Sequence, residues 1–213
     1  MMKTTAIFLL LLATTSVFAS EVPLTSVRVE TSVAAVERGA EQFIGQCHSC
    51  HTLKYIRYRD LASFGMDKQK VDTWRADQTV EATLTSQMPD EAAMQSFGKI
   101  PPDLSLMTKA REGGADYVYS YLLGYYVGKE GMPGNHIFPE TKMPDILGVG
   151  GATEPAQRDE LRAKARDIVS FLAWAADPHE GERHRLGYYV IAYLIVLTAL
   201  MFVVKNRVWA KLK

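Results

Sequence analysis

Cys47-His48-Ser49-Cys50-His51 is the stretch on which the reading of this chain turns. Two cysteines two residues apart, followed at once by a histidine, form C-x-x-C-H, the sequence form of covalent c-type haem attachment. The spacing puts both sulfurs on one side of a helical turn, where each can add to a vinyl group of haem. His51 can then reach the iron as its proximal ligand. A zinc half-site would need a second ligand pair, and Cys47 and Cys50 are the only cysteines in the chain. A thioredoxin-like redox pair does not need His51 and normally sits in a βαβ context.

Working outward, the 213 residues suit one domain plus extras. Composition is that of an ordinary globular protein, without repeats or low-complexity tracts. A formal net charge of zero hides an asymmetry. Residues 21–186 hold 24 acidic against 19 basic side chains, a net of −5, and the other five basic residues lie outside that range. A mildly acidic soluble part argues against nucleic acid and suits a basic partner; solubility alone also accounts for it.

Both ends carry membrane signals. Residues 1–19 read as a secretory signal peptide, with Lys3, the apolar run Ala6 to Ala13 and small residues at Val17-Phe18-Ala19. That run is short for a membrane span, an uncleaved N-terminal anchor being the rival reading. Export agrees with the haem motif: outside the cytoplasm two free thiols tend to a disulfide, and haem would consume both. At the other end Gly187 to Val204 contains no charge. At about 1.5 Å per residue it covers roughly 27 Å, near the hydrocarbon thickness. Tyr188, Tyr189 and Trp209 flank it as an aromatic belt would, and Lys205, Arg207, Lys211 and Lys213 follow. The positive-inside rule then divides the chain into a periplasmic haem domain (20–185), a transmembrane anchor in the cell membrane (186–205) and a cytoplasmic tail (206–213).

Between these ends the pattern is mostly α. Residues 21–31 read as an extended leader. From an N-cap at Ser32, Val33, Val36, Ala40, Phe43, Ile44 and Cys47 recur at helical steps. Gly39 inside that helix costs about 1 kcal/mol against alanine and marks close approach of another helix. Asp67 to Ala92 reads as a polar helix with Trp74, Val80, Leu84 and Met88 as its apolar points. Asp103 is placed to cap a helix from Leu104 to Gly113-Gly114. A further helix follows from Asp116, with Tyr117, Tyr121, Leu122 and Tyr125 on one face. Residues 128–151 are Gly- and Pro-rich without a period, and a run of that length in a small domain is usually functional. The last soluble helix, Ala156 to Ala176, ends at Asp177-Pro178. His179 to Arg185 reads as a charged connector.

The ordered motifs carry a family resemblance. Arg38-Gly39 precedes Cys47-His48-Ser49-Cys50-His51, and Tyr58-Arg59-Asp60-Leu61 and Pro101-Pro102-Asp103-Leu104-Ser105 follow. Gly113-Gly114-Ala115-Asp116-Tyr117-Val118-Tyr119-Ser120, Leu123-Gly124-Tyr125, Asn135 to Pro139, Lys142-Met143-Pro144 and Phe171 to Ala175 complete the set. With its single C-terminal anchor, the chain resembles cytochrome c1, the haem-bearing subunit of the cytochrome bc1 complex, from about Val33 to the end. It departs from the pattern in a short segment between Gly124 and Asn135, in Phe138-Pro139-Glu140 where the family has Phe-Pro-Gly, and in lacking a dense acidic run for docking a basic cytochrome c.

The resemblance implies a class I c-type cytochrome-like haem domain with one transmembrane helix, carrying one covalent haem c. It implies an electron relay: quinol is oxidised on a cytochrome b subunit, and an electron passes through a Rieske iron–sulfur protein to this haem and on to cytochrome c. Such a subunit is not an enzyme by itself, and membrane lipid surrounds its anchor. The residues leave the sixth iron ligand among Met66, Met88, Met94, Met107, Met132 and Met143, with His48 and His136 as rivals. Class I folds bring that ligand from a loop before the last helix, which fits Met143 best, and the resemblance places it there too; Met132 is the alternative. By resemblance also, Arg111 lies near a haem propionate, Pro102 and Tyr117 line the pocket, and Gly39 and Phe43 cross the last helix near Trp174. Two other functions compete: a membrane-anchored carrier free of any complex, and a peroxidase-like enzyme, which needs an open sixth position and a distal group such as His136.

Overall fold

The computed structural model describes residues 22–211; the signal-peptide reading of residues 1–19 lies outside them. The described chain is mostly helical. In order it forms α1 (Val33–Gln46), β1 (Leu53–Arg57), α2 (Tyr58–Phe64), α3 (Lys68–Arg75), β2 (Thr83–Leu84), α4 (Asp90–Phe97), α5 (Met107–Ala110), α6 (Gly114–Leu123), β3 (Tyr125–Val127), β4 (Pro133–Asn135), α7 (Pro155–Ala176) and α8 (Glu180–Ala210).

The centre of the fold is the crossing of α1 and α7. The Ser32 hydroxyl accepts from the Ala35 amide and starts α1. Val36, Ala40 and Phe43 are fully buried on one face of α1, as are Ala165, Val169 and Phe171 on α7. Phe43 meets Phe171 at a ring-centroid distance of 5.3 Å. The helices approach so closely that a β-carbon on Gly39 would overlap the Asp167 carbonyl and lie 2.7 Å from the Phe171 β-carbon. Arg38 closes the crossing from outside, donating two 2.9 Å hydrogen bonds to the Asp167 carboxylate. The Arg38-Gly39 pair is thus a close contact with a bidentate clamp beside it.

The leader, residues 22–31, is extended as expected, and it has partners. Its Thr25 and Val27 amides donate to Ser120 Oγ and Asp116 Oδ1 of α6, both at 2.7 Å. Glu30 N–H donates to Ser170 Oγ of α7 at 3.0 Å. Side chains replace the missing neighbouring strand and satisfy backbone that would otherwise be left unpaired.

Four sequence expectations change. The polar helix expected over Asp67 to Ala92 covers only Lys68–Arg75, because Ala76 takes a left-handed φ of 49°. Thr83–Leu84 then pairs antiparallel with β1, burying Leu84 against the core rather than on a helix face. Asp103 does not start a helix at Leu104. Its carboxylate accepts from Ser105 N–H at 2.9 Å and Lys54 N–H at 3.1 Å, tying that turn to β1, and the helix is only Met107–Ala110. Tyr125 belongs to β3, not to the face of α6, since α6 ends at Leu123. The charged connector His179 to Arg185 is helical from Glu180, and it runs unbroken into the apolar segment.

That last helix is 31 residues long and exposes Tyr188, Ile191, Leu194, Ile195 and Phe202; it is long and apolar enough to cross a membrane. Asp177 joins it to the domain. Its carboxylate accepts from Lys109 Nζ at 2.8 Å and from Arg183 of α8. Lys109 first, then Arg183, hold this carboxyl below the usual range. A depressed folded pKa stabilises above the unfolded value of about 4 and loses that contribution as pH falls through the lower folded value. Asp177→Asn should therefore lower the thermal midpoint at pH 6, and the deficit should shrink in acid below about pH 4. A deficit constant from pH 7 to pH 3 would contradict the ion-pair account.

Candidate cofactor site

The end of α1 opens into a cavity. Cys47 and His48 N–H both donate to the Phe43 carbonyl, and Cys50 and His51 N–H to the Cys47 carbonyl, so the chain makes one further turn past Gln46. That turn puts Cys47, Cys50 and His51 on the cavity wall. His48 faces away, buried against Phe43 at 6.2 Å. The turn is held from behind by Ser86, whose hydroxyl donates to the Ser49 carbonyl at 2.8 Å and whose amide donates to Thr52 Oγ1 at 3.0 Å.

His51 is buried, and its Nδ1 lies 2.8 Å from the Pro102 carbonyl. A carbonyl only accepts, so Nδ1 carries the proton and Nε2 keeps its lone pair. This arrangement prepares a histidine for a metal. Burial pushes the imidazole pKa down, against the opposing pull of the Pro102 carbonyl, which favours the neutral, ligating form. Burial likewise pushes the Cys47 thiol up to about 12. Reactive redox cysteines have lowered pKa values, so the environment of Cys47 does not suit a thioredoxin-like pair. Among the described residues no three His, Cys, Asp or Glu side chains converge as a metal-ion site would require, which leaves the zinc half-site without its second pair.

The far wall comes from later elements. Pro102, Met107, Tyr117, Tyr121, Met143 and Leu172 all line the cavity. Its empty space, part of it open to solvent, is about 1210 Å³. Its walls are apolar, so the space suits a mostly apolar ligand. Lys99, Arg111 and Lys142 are exposed but also line it. Arg111 stacks over the Tyr117 ring at 5.2 Å. Two thiols, a lone-pair imidazole nitrogen, thioethers and basic side chains for carboxylates form a donor set that fits haem c.

The structure thus brings together all seven site residues expected from sequence: Cys47, Cys50, His51, Pro102, Arg111, Tyr117 and Met143. It also sorts the methionines. Met66 is buried in the core, Met94 and Met132 are 50% and 69% exposed, and neither they nor Met88 line the cavity. His136 is exposed and stacks on Tyr126 at 4.3 Å, away from the cavity wall. Met107 does line the cavity, which helical spacing could not reveal. Lys99, Tyr121 and Thr141 were not singled out as site residues, because they reach the wall from loops and a helix face without a site motif of their own, and Lys142 was noted only within its motif.

Met143 sits in a loop tied down by side chains. Its amide donates to Thr141 Oγ1 at 3.2 Å, and its carbonyl accepts from the Tyr125 hydroxyl at 2.9 Å. Tyr121 joins Thr141 and Tyr125 through its own hydroxyl. Burial first, then the Tyr121 phenol, push the Tyr125 pKa up, so it remains a donor. Asn135, fully buried, donates to the Tyr121 carbonyl at 2.8 Å and accepts from Ile137 and Phe138 N–H, fixing the loop's entry.

Known proteins are similar to this sequence over most of its length. The family model described as the Cytochrome C1 family matches residues 29–212. The chain is 32% identical to cytochrome c1 of Allochromatium vinosum over 206 residues, covering 83% of this chain and 84% of that one. It is 36% identical to the mitochondrial cytochrome c1 haem protein of Neurospora crassa, covering 84% and 63%. It is also 30% identical to a protein named cytochrome b/c1 from Bradyrhizobium diazoefficiens, covering 83% of this chain and 33% of that one.

Proposed function

The chain belongs to the cytochrome C1 family, and we propose that it is the haem-bearing electron-transfer subunit of a bc1 complex, taking electrons from a Rieske iron–sulfur protein and passing them to cytochrome c. The observation that carries this reading is the apolar cavity lined by Cys47, Cys50 and His51 on one side and by Met143 on the other. In that cavity, one covalently attached haem c would supply a one-electron iron couple.

The chain's own residues have separate tasks. Cys47 and Cys50 tether the group by their thiols. His51, with Nδ1 held by Pro102, presents Nε2 as one iron ligand. Met143 presents its thioether as the other, a ligand that raises the potential relative to two histidines and suits a high-potential donor. Arg111 would meet a propionate, and Lys99 and Lys142 would add positive charge from elsewhere on the lining. Pro102 and Tyr117 pack as walls. Electron transfer needs no proton-handling side chain at the iron, and none of Lys99, Arg111, Lys142 or the tyrosines lining the cavity is suited to act as a peroxidase's distal base.

The partners follow from the same reading. Quinol is oxidised on cytochrome b, and the relative whose name joins b and c1 in one chain supports cytochrome b as neighbour. We assign residues 1–19 to a signal peptide, 20–185 to a periplasmic haem domain, 186–205 to the membrane anchor among lipid and 206–213 to the cytoplasm. The net of −5 over residues 21–186 suits a basic acceptor.

Purification from membranes in mild detergent tests the reading. Acid–acetone extraction followed by a pyridine haemochrome assay should leave one haem per chain attached, and b-type haem should co-purify. Extractable haem, or a ratio near two, would sink the haem assignment. A covalent haem without cytochrome b would make the protein a free membrane carrier.

A further inference from the structure

The backbone of Met143 is gripped at both of its polar groups by one loop of side-chain hydroxyls. The Met143 carbonyl, 2.9 Å from Tyr125 Oη, can only accept, so Tyr125 donates to it. The Tyr125 hydroxyl also lies 3.0 Å from Tyr121 Oη and is directed at it as a donor, so the two acceptors share it. Tyr121 Oη and Thr141 Oγ1 share a further hydrogen bond. Thr141 Oγ1 in turn accepts from the Met143 amide. The Met143 amide, Thr141, Tyr121, Tyr125 and the Met143 carbonyl thus form a closed ring of hydrogen bonds. Such chains strengthen cooperatively away from water. Tyr125 is 5% exposed, and its tyrosine and threonine partners are half-buried.

From this ring we infer that Tyr125, Tyr121 and Thr141 are positioning residues for the Met143 thioether, and that Tyr125 is the member that decides how firmly the thioether is held in the cavity. The inference rests on the proposed function, in which Met143 ligates iron. Met107, the other thioether on the wall, lies on the short helix α5 and takes no part in the ring. Asn135 supports the ring from behind by holding the Tyr121 carbonyl.

Removing one hydroxyl separates this role from bulk stability. Tyr125→Phe keeps the aromatic side chain and its packing but leaves the Met143 carbonyl without its donor. In the full-length, haem-loaded protein, carbon monoxide competes with the thioether for ferrous iron. Its apparent affinity therefore scales with the fraction of protein whose thioether is detached. Tyr125→Phe should raise carbon monoxide affinity about tenfold over wild type, the size of effect given by one lost hydrogen bond. The sulfur-to-ferric-iron charge-transfer band should weaken in parallel. Thr141→Val breaks the ring at its other end without touching Tyr125 and should move both readouts the same way. If Tyr125→Phe does not fold, Thr141→Val decides alone. Wild-type carbon monoxide affinity and an intact band in these variants, with or without a lower melting point, would overturn the inference. Met143→Leu, measured alongside, isolates the underlying reading. Avid binding there with wild-type behaviour in the ring variants removes only the ring's role. Wild-type behaviour in Met143→Leu itself removes the ligand assignment and the inference with it.

Discussion

Met143→Leu should lower the midpoint potential by roughly a few hundred mV, the scale on which axial ligands tune haem iron, while the haem stays attached. Attachment depends on Cys47 and Cys50, which the change leaves alone. Leucine is close to methionine in volume, so packing costs under about 1.5 kcal/mol. Only the thioether donor is lost, and with it the preference for ferrous iron. For a one-electron couple about 59 mV is a tenfold change in equilibrium constant, so a fall of this size puts the iron out of reach of its donor. Quinol-to-cytochrome c turnover should fail while the subunit remains in the membrane. Two controls bracket the assignment. Met132→Leu changes a side chain that is 69% exposed and off the cavity wall, and should leave the potential unchanged. Met107→Leu changes a wall residue and is the sharper control. If the large fall appears there and not in Met143→Leu, the ligand is Met107.

A second large effect is expected from the smallest substitution. Gly39→Ala adds one methyl group where the α1–α7 crossing has no room: it would overlap the Asp167 carbonyl and the Phe171 β-carbon. Neither is the free end of a flexible side chain, so the helices themselves must part. Overpacking costs about 1–3 kcal/mol where side chains can adjust, and here the obstacle is backbone, so about 3 kcal/mol or more is expected. At about 2–4 °C per kcal/mol for a chain of this size, the melting midpoint should fall by roughly 6–12 °C. Haem loading should fall too, because Cys47 is the residue that caps the same helix. Gly45→Ala is the control within α1. Nothing lies within 4 Å of its added methyl, and replacing glycine in a helix should stabilise by about 0.5–1 kcal/mol. A Gly39→Ala protein as stable as wild type would show that the crossing is looser than described.

These two residues mark the boundary between what could be read and what could not. Local chemistry was enough for Cys47-His48-Ser49-Cys50-His51, because spacing along one turn is a property of the chain itself. The same holds for α1, whose period and Ser32 cap are local, and for the apolar run of α8, which needs only length and composition. Gly39 was readable as a helix contact, though the identity of the obstructing carbonyl was not. Where the sequence misled, tertiary partners had overruled local preference. Thr83–Leu84 left its helical pattern to pair with β1, and Asp103 spent its carboxylate on Lys54 and Ser105 instead of capping a helix. The cavity's far wall depended on the tertiary structure most of all. Met107, Tyr121, Thr141 and Met143 meet there from α5, α6 and a loop without a period. No spacing rule relates residues that become neighbours only when separate elements pack. The sequence by itself determined that two thiols and a histidine lie together and that its C-terminal part holds a segment long and apolar enough to cross a membrane. Only the folded chain decided which thioethers face them and which hydroxyls hold Met143, since those are distances through space between residues whose separation along the chain carries no information about contact.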